Sequence, residues 1–220
     1  MDAQKKSNSA LRGVILTFFE LIVVLFINLR MGAIEQWFFP LPEAELDTVS
    51  NVSDWQTFDI PELTVSLKLP PGSHIYTRES LKQGNNYNDE NFDWIIERFA
   101  LPERCLVVKD NSTATTLSIS CYNSKRFFFP NDYALFPRSR LDKLGAFYQS
   151  GTPDDHFWLK CNGNIYIGEF VPKGSERTYR HTYDTLKKGY NYWFTFLYDD
   201  EITDLQRSVQ FSILQSLTFY

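Results

Sequence analysis

The chain has 220 residues, 43% apolar, 16% aromatic and 22% charged, enough for one sizeable core once an N-terminal segment is set aside. Net charge is −5; Asp2, Lys5, Lys6 and Arg12 together carry +2 and Glu20 cancels Arg30, so residues 31–220 carry −7. An acidic globular part argues against nucleic acid as a partner, because phosphate binding needs a Lys/Arg surface, and three cysteines without a C-x-x-C argue against a disulfide scaffold or a zinc site of that type.

Residues 1–12 read as a short cytoplasmic N-terminus and residues 13–30, "GVILTFFELIVVLFINLR", as a transmembrane anchor with thirteen large apolar side chains around Glu20. The stretch between Arg12 and Arg30 is about 25 Å long as a helix, at the short end of what spans a bilayer. Its apolar side chains contribute roughly −4 to −8 kcal/mol to insertion, against about +3 for one central acid, so insertion wins. Lys5, Lys6 and Arg12 precede the run and Arg30 alone closely follows it, which predicts a cytoplasmic N-terminus and an extracytoplasmic remainder. Met31-Gly32-Ala33 is a poor cleavage site because its first position is large, so the anchor is expected to stay attached. Glu20 is the candidate intramembrane contact.

"TFFELIVVLF" also resembles the start of type IV pilins at Thr17, Glu20, Leu21, Val23 and Val24, which implies an assembly subunit. The pilin processing glycine lies five residues before the glutamate, where this chain has Ile15. Pro40 and Pro42 also cut short the long helix that pilins continue into.

Residues 31–55 read as a juxtamembrane linker, with Trp37, Phe38 and Phe39 as interfacial aromatics, and 56–220 as the extracytoplasmic domain. "LTVSLKL" alternates Leu63, Val65, Leu67 and Leu69 against polar residues and predicts a strand with one buried face. "NDENFDWIIERFALP", 88–102, puts Phe92, Ile95, Ile96 and Phe99 on one helical stripe behind an Asn88 cap. "CLVVKDNSTATTLSISC" reads as a hairpin centred near Thr113, which would set Cys105 opposite Cys121 as a candidate disulfide; two buried thiols in neighbouring strands are the alternative. A helix follows from a Ser139 cap, with Asp142 three residues on, Leu141, Leu144 and Tyr148 as its stripe and Gly151 as terminator. Asn162-Gly163 and Lys187-Lys188-Gly189 sit between aromatic-rich runs as hairpin turns. The last helix places Ile202, Leu205, Val209 and Ile213 on one face, before a short strand from about Ser216. Hairpins predominate, so the fold class is α+β, a mainly antiparallel sheet with packed helices.

The strand in "VSLKLPPGSHIYTRE", the helix before a hairpin, the paired strands "HTYDTLKKGYNYWFTFLY" and the closing "ILQSLTFY" resemble the PsbP-like fold, shared with the Ran-binding Mog family, over roughly residues 57–220. The resemblance implies an accessory or binding domain rather than an enzyme, and it carries no functional residue onto this chain.

Chemistry has few candidates. Asp154, Asp155 and His156 could suggest a metal or an acid/base pair and hence a tethered hydrolase, but neighbours in a strand face opposite ways and no second ligand pair accompanies them. Among the histidines, His74 and His181 stand apart from that group. The alternating Tyr190, Tyr192, Phe194, Phe196 and Tyr198 suit core packing better than a partner surface. Asn51 and Asn111 head glycosylation sequons that matter only in a eukaryotic host. The expectation is a membrane-anchored, extracytoplasmic accessory domain that binds a protein or envelope component, with no cofactor, metal or catalytic residue.

Overall fold

The computed structural model describes residues 2–77, 105–110, 115–124, 130–147, 156–171 and 179–220. Helix α1 (Asp2–Phe38) is followed by strands β1 (Gln56–Ile60), β2 (Val65–Leu69), β3 (Ser73–Thr77), β4 (Cys105–Asp110) and β5 (Thr115–Asn123). A 3-10 turn (Tyr133–Leu135), helix α2 (Arg138–Phe147) and strands β6 (His156–Cys161), β7 (Asn164–Val171), β8 (Tyr179–Lys187) and β9 (Tyr190–Tyr198) come next. Helix α3 (Asp204–Ser216) and strand β10 (Thr218–Phe219) close the chain. The helix expected at 88–102, Tyr148 and Gly151 lie outside the described residues.

The fold is α+β and its sheets are antiparallel. Seven strands run in the order β3-β4-β5-β9-β8-β7-β6, and a small sheet has the order β1-β2-β10. Two turns impose the order of the last four large strands. Asn162 and Gly163 have φ of 49° and 70°, and Lys188 and Gly189 have 51° and 81°, the left-handed pairs that close a two-residue hairpin with the twist of its strands. Cys161 consequently pairs with Asn164, and Lys187 with Tyr190.

One face of the large sheet is covered by the small sheet and α3. Leu63, Val65, Leu67 and Leu69 are all buried there, as their alternation predicts, against Leu117, Ile119, Phe194 and Phe196. The alternating aromatics of β9 are core: Tyr192, Phe194, Phe196 and Tyr198 are at most 2% exposed. A polar network sits inside this layer. The Tyr183 hydroxyl donates to Gln210 Oε1 at 3.1 Å, His181 Nδ1 lies 3.1 Å from the same oxygen, and Gln210 Nε2 donates to the Tyr198 hydroxyl at 2.7 Å. Phe170 stacks on the His181 ring at 3.7 Å, and burial pushes the pKa of His181 down to about 4.

At its β6–β7 end the opposite face is apolar: Leu41, Tyr133, Phe136, Leu141, Ile165, Ile167 and Leu186 form a second core under the 3-10 turn and α2. Helix α2 begins at Arg138, one residue before the expected Ser139 cap, with the Pro137 carbonyl accepting from the N–H groups of Arg140 and Leu141.

Three expectations need correction. The β4–β5 register sets Cys105 opposite Ser120, one residue out of step with Cys121, so the directly opposed pairing of the two cysteines is not the register observed. Cys121 is a buried thiol. Strands β1 and β3 flank the single early strand that the alternation predicts. Leu205 is 61% exposed rather than on the buried face, because a Thr203–Gln206 capping box starts α3 at Asp204, and Ile202, ahead of the helix, packs on the core instead.

Among the described residues no single helix is long and apolar enough to cross a membrane; Gly13–Ile27 and Arg30–Phe38 pass that test only together, with a 54° bend between them. The first part is exposed throughout, Glu20 included. The second part is docked. Gly32 is buried against the 3-10 turn, where a Cβ would collide with the backbone of Leu135 and Phe136. Gln36 Nε2 donates to the Ala134 carbonyl at 2.8 Å, and the Arg138 N–H to Glu35 Oε2 at 3.3 Å. The stretch read as a linker then straps across the domain. Ala44 N–H donates to the Lys160 carbonyl of β6 at 2.8 Å, Lys160 Nζ meets Glu43 at 3.2 Å, and Val49 N–H donates to Ser212 Oγ at 2.8 Å. Leu41 is buried in the second core and Ala44, Leu46, Val49 and Trp55 pack on the first.

Candidate binding cleft

Beyond the second core, the same face of the large sheet is polar and concave. The register assembles it in two rows across β5, β9, β8 and β7. Ser120, Trp193, Asp184 and Ile167 stand opposite one another in the first row, and Ser118, Thr195, Thr182 and Glu169 in the second. Together with Tyr122 and Arg180 they enclose a cavity of about 250 Å³. Period-2 alternation explains why these side chains share a face: each follows or precedes a core residue, as Thr195 lies between Phe194 and Phe196.

The floor is buried although it is polar. Ser118, Asp184 and Thr195 are 2%, 5% and 8% exposed, and the Thr182 and Thr195 hydroxyls lie 3.4 Å apart. At the rim, Trp193 is 40% exposed and Tyr122 38%, their rings tilted against each other with centroids 5.3 Å apart. An aromatic wall therefore stands over a hydroxyl- and carboxyl-lined floor.

Asp184 is the most constrained member. The Tyr133 hydroxyl donates to its Oδ2 at 2.8 Å, and Oδ1 has no well-formed hydrogen bond among the described residues. Burial pushes its pKa up to about 7, with Tyr133, Asn191 and Trp193 pulling the other way. Tyr133 belongs to the 3-10 turn, which Asp132 stabilises by capping Ala134 at 2.9 Å and by meeting Lys187 at 3.2 Å. Helix α1 rests on that same turn.

Among the described residues, none of those singled out from the sequence lines the cleft. Glu20 lies in the exposed part of α1. His156 opens β6 opposite Glu169, whereas Asp154 and Asp155 lie outside the described residues. His74 and His181 are on β3 and β8. Among the described residues no three His, Cys, Asp or Glu side chains come together as metal ligands. The signal that sequence reading passed over is the polar half of the alternation in "LSISCY", "RHTYD" and "WFT", which reads as solvent-facing until the rows are aligned.

No family model and no curated protein matches the sequence. The structure is similar to PsbP (CyanoP) of the cyanobacterium Synechocystis sp. PCC 6803, at 12% identity and a TM-score of 0.44, covering 82% of this chain and 99% of that one. It is also similar to a protein of Bacteroides thetaiotaomicron VPI-5482, at 9% identity and a TM-score of 0.43 over 75% of this chain; the match spans 48% of the Bacteroides chain.

Proposed function

We propose that the chain is a single-pass membrane protein whose α+β domain stands outside the cytoplasm and acts as an accessory module, binding a protein or other envelope component through the polar cleft. The observation that carries this reading is the continuity of α1. An exposed apolar segment, Gly13–Ile27, runs through a bend into Arg30–Phe38, which is seated on the domain by Gly32, Glu35 and Gln36. Fifteen successive exposed residues dominated by Val, Ile, Leu and Phe are stable in lipid and costly in water. Trp37, Phe38 and Phe39, at 80%, 65% and 76% exposure, stand at the C-terminal end of α1 as an exposed aromatic cluster of the kind that favours a membrane interface. The basic residues Lys5, Lys6 and Arg12 favour a cytoplasmic N-terminus.

Protease added to intact cells or spheroplasts is expected to degrade a C-terminally tagged domain, while the N-terminus remains protected until the membrane is opened. Full protection of the C-terminal tag, or recovery of the intact chain in the soluble fraction without detergent, would overturn the proposal.

A further inference from the structure

We propose that the cleft takes a single uncharged sugar ring, stacked on Trp193 and hydrogen-bonded through Thr182 and Thr195 over the Asp184 floor. This inference rests on reading the cleft as the binding face, and it adds the class of ligand.

Charge narrows the choice. The cleft sets one cation, Arg180, against one formal anion, Glu169, on adjacent strands, and Asp184 is held near the midpoint of its titration at neutral pH. A phosphate would meet two acids for one guanidinium, and a cationic head group would meet that guanidinium. A neutral ligand meets neither penalty. Chemistry narrows it further. Asp184 lines the cavity and its buried Oδ1 lacks a well-formed hydrogen bond among the described residues, so the floor carries spare acceptor capacity beside the threonines. The threonine hydroxyls beside it both donate and accept, matching the two-way hydrogen bonding of sugar hydroxyls. An apolar ligand would leave the remaining hydrogen-bonding capacity of these groups unused and cut off from water.

Shape supplies the remaining constraint. Trp193 is a half-exposed ring braced by Tyr122, and its electron-rich face suits the C–H face of a pyranose, which is apolar on its faces and polar at its edge. A cavity of about 250 Å³ admits one such ring rather than an oligomer, so a polymeric glycan would be held by a terminal unit.

The test uses the full chain in detergent, titrated with glucose, galactose, mannose and N-acetylglucosamine, and separately with inorganic phosphate and choline, followed by tryptophan fluorescence and calorimetry. At least one sugar is expected to bind saturably, with affinity at least tenfold weaker in Trp193→Ala and in Thr195→Val, while phosphate and choline give no saturable signal. Thermal melts establish that each variant is folded, and Trp193→Phe replaces Trp193→Ala if the latter is not. Absence of binding by all four sugars, or sugar binding indifferent to both substitutions, would overturn the proposal. Phosphate or choline binding abolished by the same substitutions would also overturn it, yet would leave the cleft as the binding face.

Discussion

Asp184 and His181, three residues apart on β8, face opposite sides of the sheet and titrate in opposite senses. Folded Asp184 keeps its proton to about pH 7, whereas an unfolded aspartate loses it near 3.8, so folding takes up a proton between those values and stability falls as pH rises through them. Folded His181 stays neutral down to about pH 4, whereas an unfolded histidine is protonated below about 6.5, so stability falls as pH drops through that window. Between pH 4 and 6.5 the two slopes oppose; above 6.5 that of Asp184 stands alone. Asp184→Asn keeps an oxygen for Tyr133 and removes the ionisation. The variant is expected to be more stable than the parent at pH 8 by roughly 1–3 kcal/mol, and to lose stability more steeply from pH 6.5 to 4. Denaturant titrations across that range check both; an unchanged profile would mean the carboxyl is not held neutral by burial. Nothing in the sequence around "TYDTL" marks Asp184 as buried. Its environment comes from Trp193 and Ile167 on the neighbouring strands and from Tyr133 some fifty positions earlier, contacts that a one-dimensional period does not contain.

At the scale of elements, the parts that could be read are those with local causes. The 162–163 turn was expected because Asn-Gly tolerates positive φ at both central positions, and it has them. Gly163→Ala forces a side chain into left-handed backbone at φ of 70°, although the space around it is open, so the cost is conformational and about 1 kcal/mol. A thermal melt should show that loss with affinity at the cleft unchanged. β2 was legible because its alternating leucines face a core. β1, "QTFDI", was not, because it is an edge strand of the small sheet with only Phe58 and Ile60 turned inward. The disulfide expectation failed on register. A hairpin centre shifted by half a residue moves the partner of Cys105 from Cys121 to Ser120, and such a one-residue slip in register exchanges the faces of a strand. The stripe of α3 was misplaced at Leu205 for a related reason: the capping box decides where the helix begins, and residue 202 lies before it.

For the whole molecule, the exposed apolar segment of α1 and the domain are separable in composition and joined in packing. Residues 31–55 look like a linker because prolines and acids break every period, yet they carry Leu41 into one core and Val49 against another. Two truncations distinguish these roles. Removal of residues 1–29 is expected to release the chain from membranes and leave the domain's thermal transition near that of the parent. Removal of residues 1–54 also takes away Leu41, Ala44, Leu46 and Val49, and is expected to lower the transition by at least about 5 °C. Equal melting of the two shortened chains would show that the strap adds nothing to the fold.

The strap has a second consequence. A seven-stranded sheet ends in two rows of backbone groups that invite another chain to add a strand, and such additions can propagate into fibrils. Along β6 that invitation is withdrawn near its C-terminal end, where Ala44 occupies the Lys160 carbonyl and Glu43 takes the Lys160 ammonium. Wherever copies of this protein meet side by side, a blunted border keeps neighbours from zipping together.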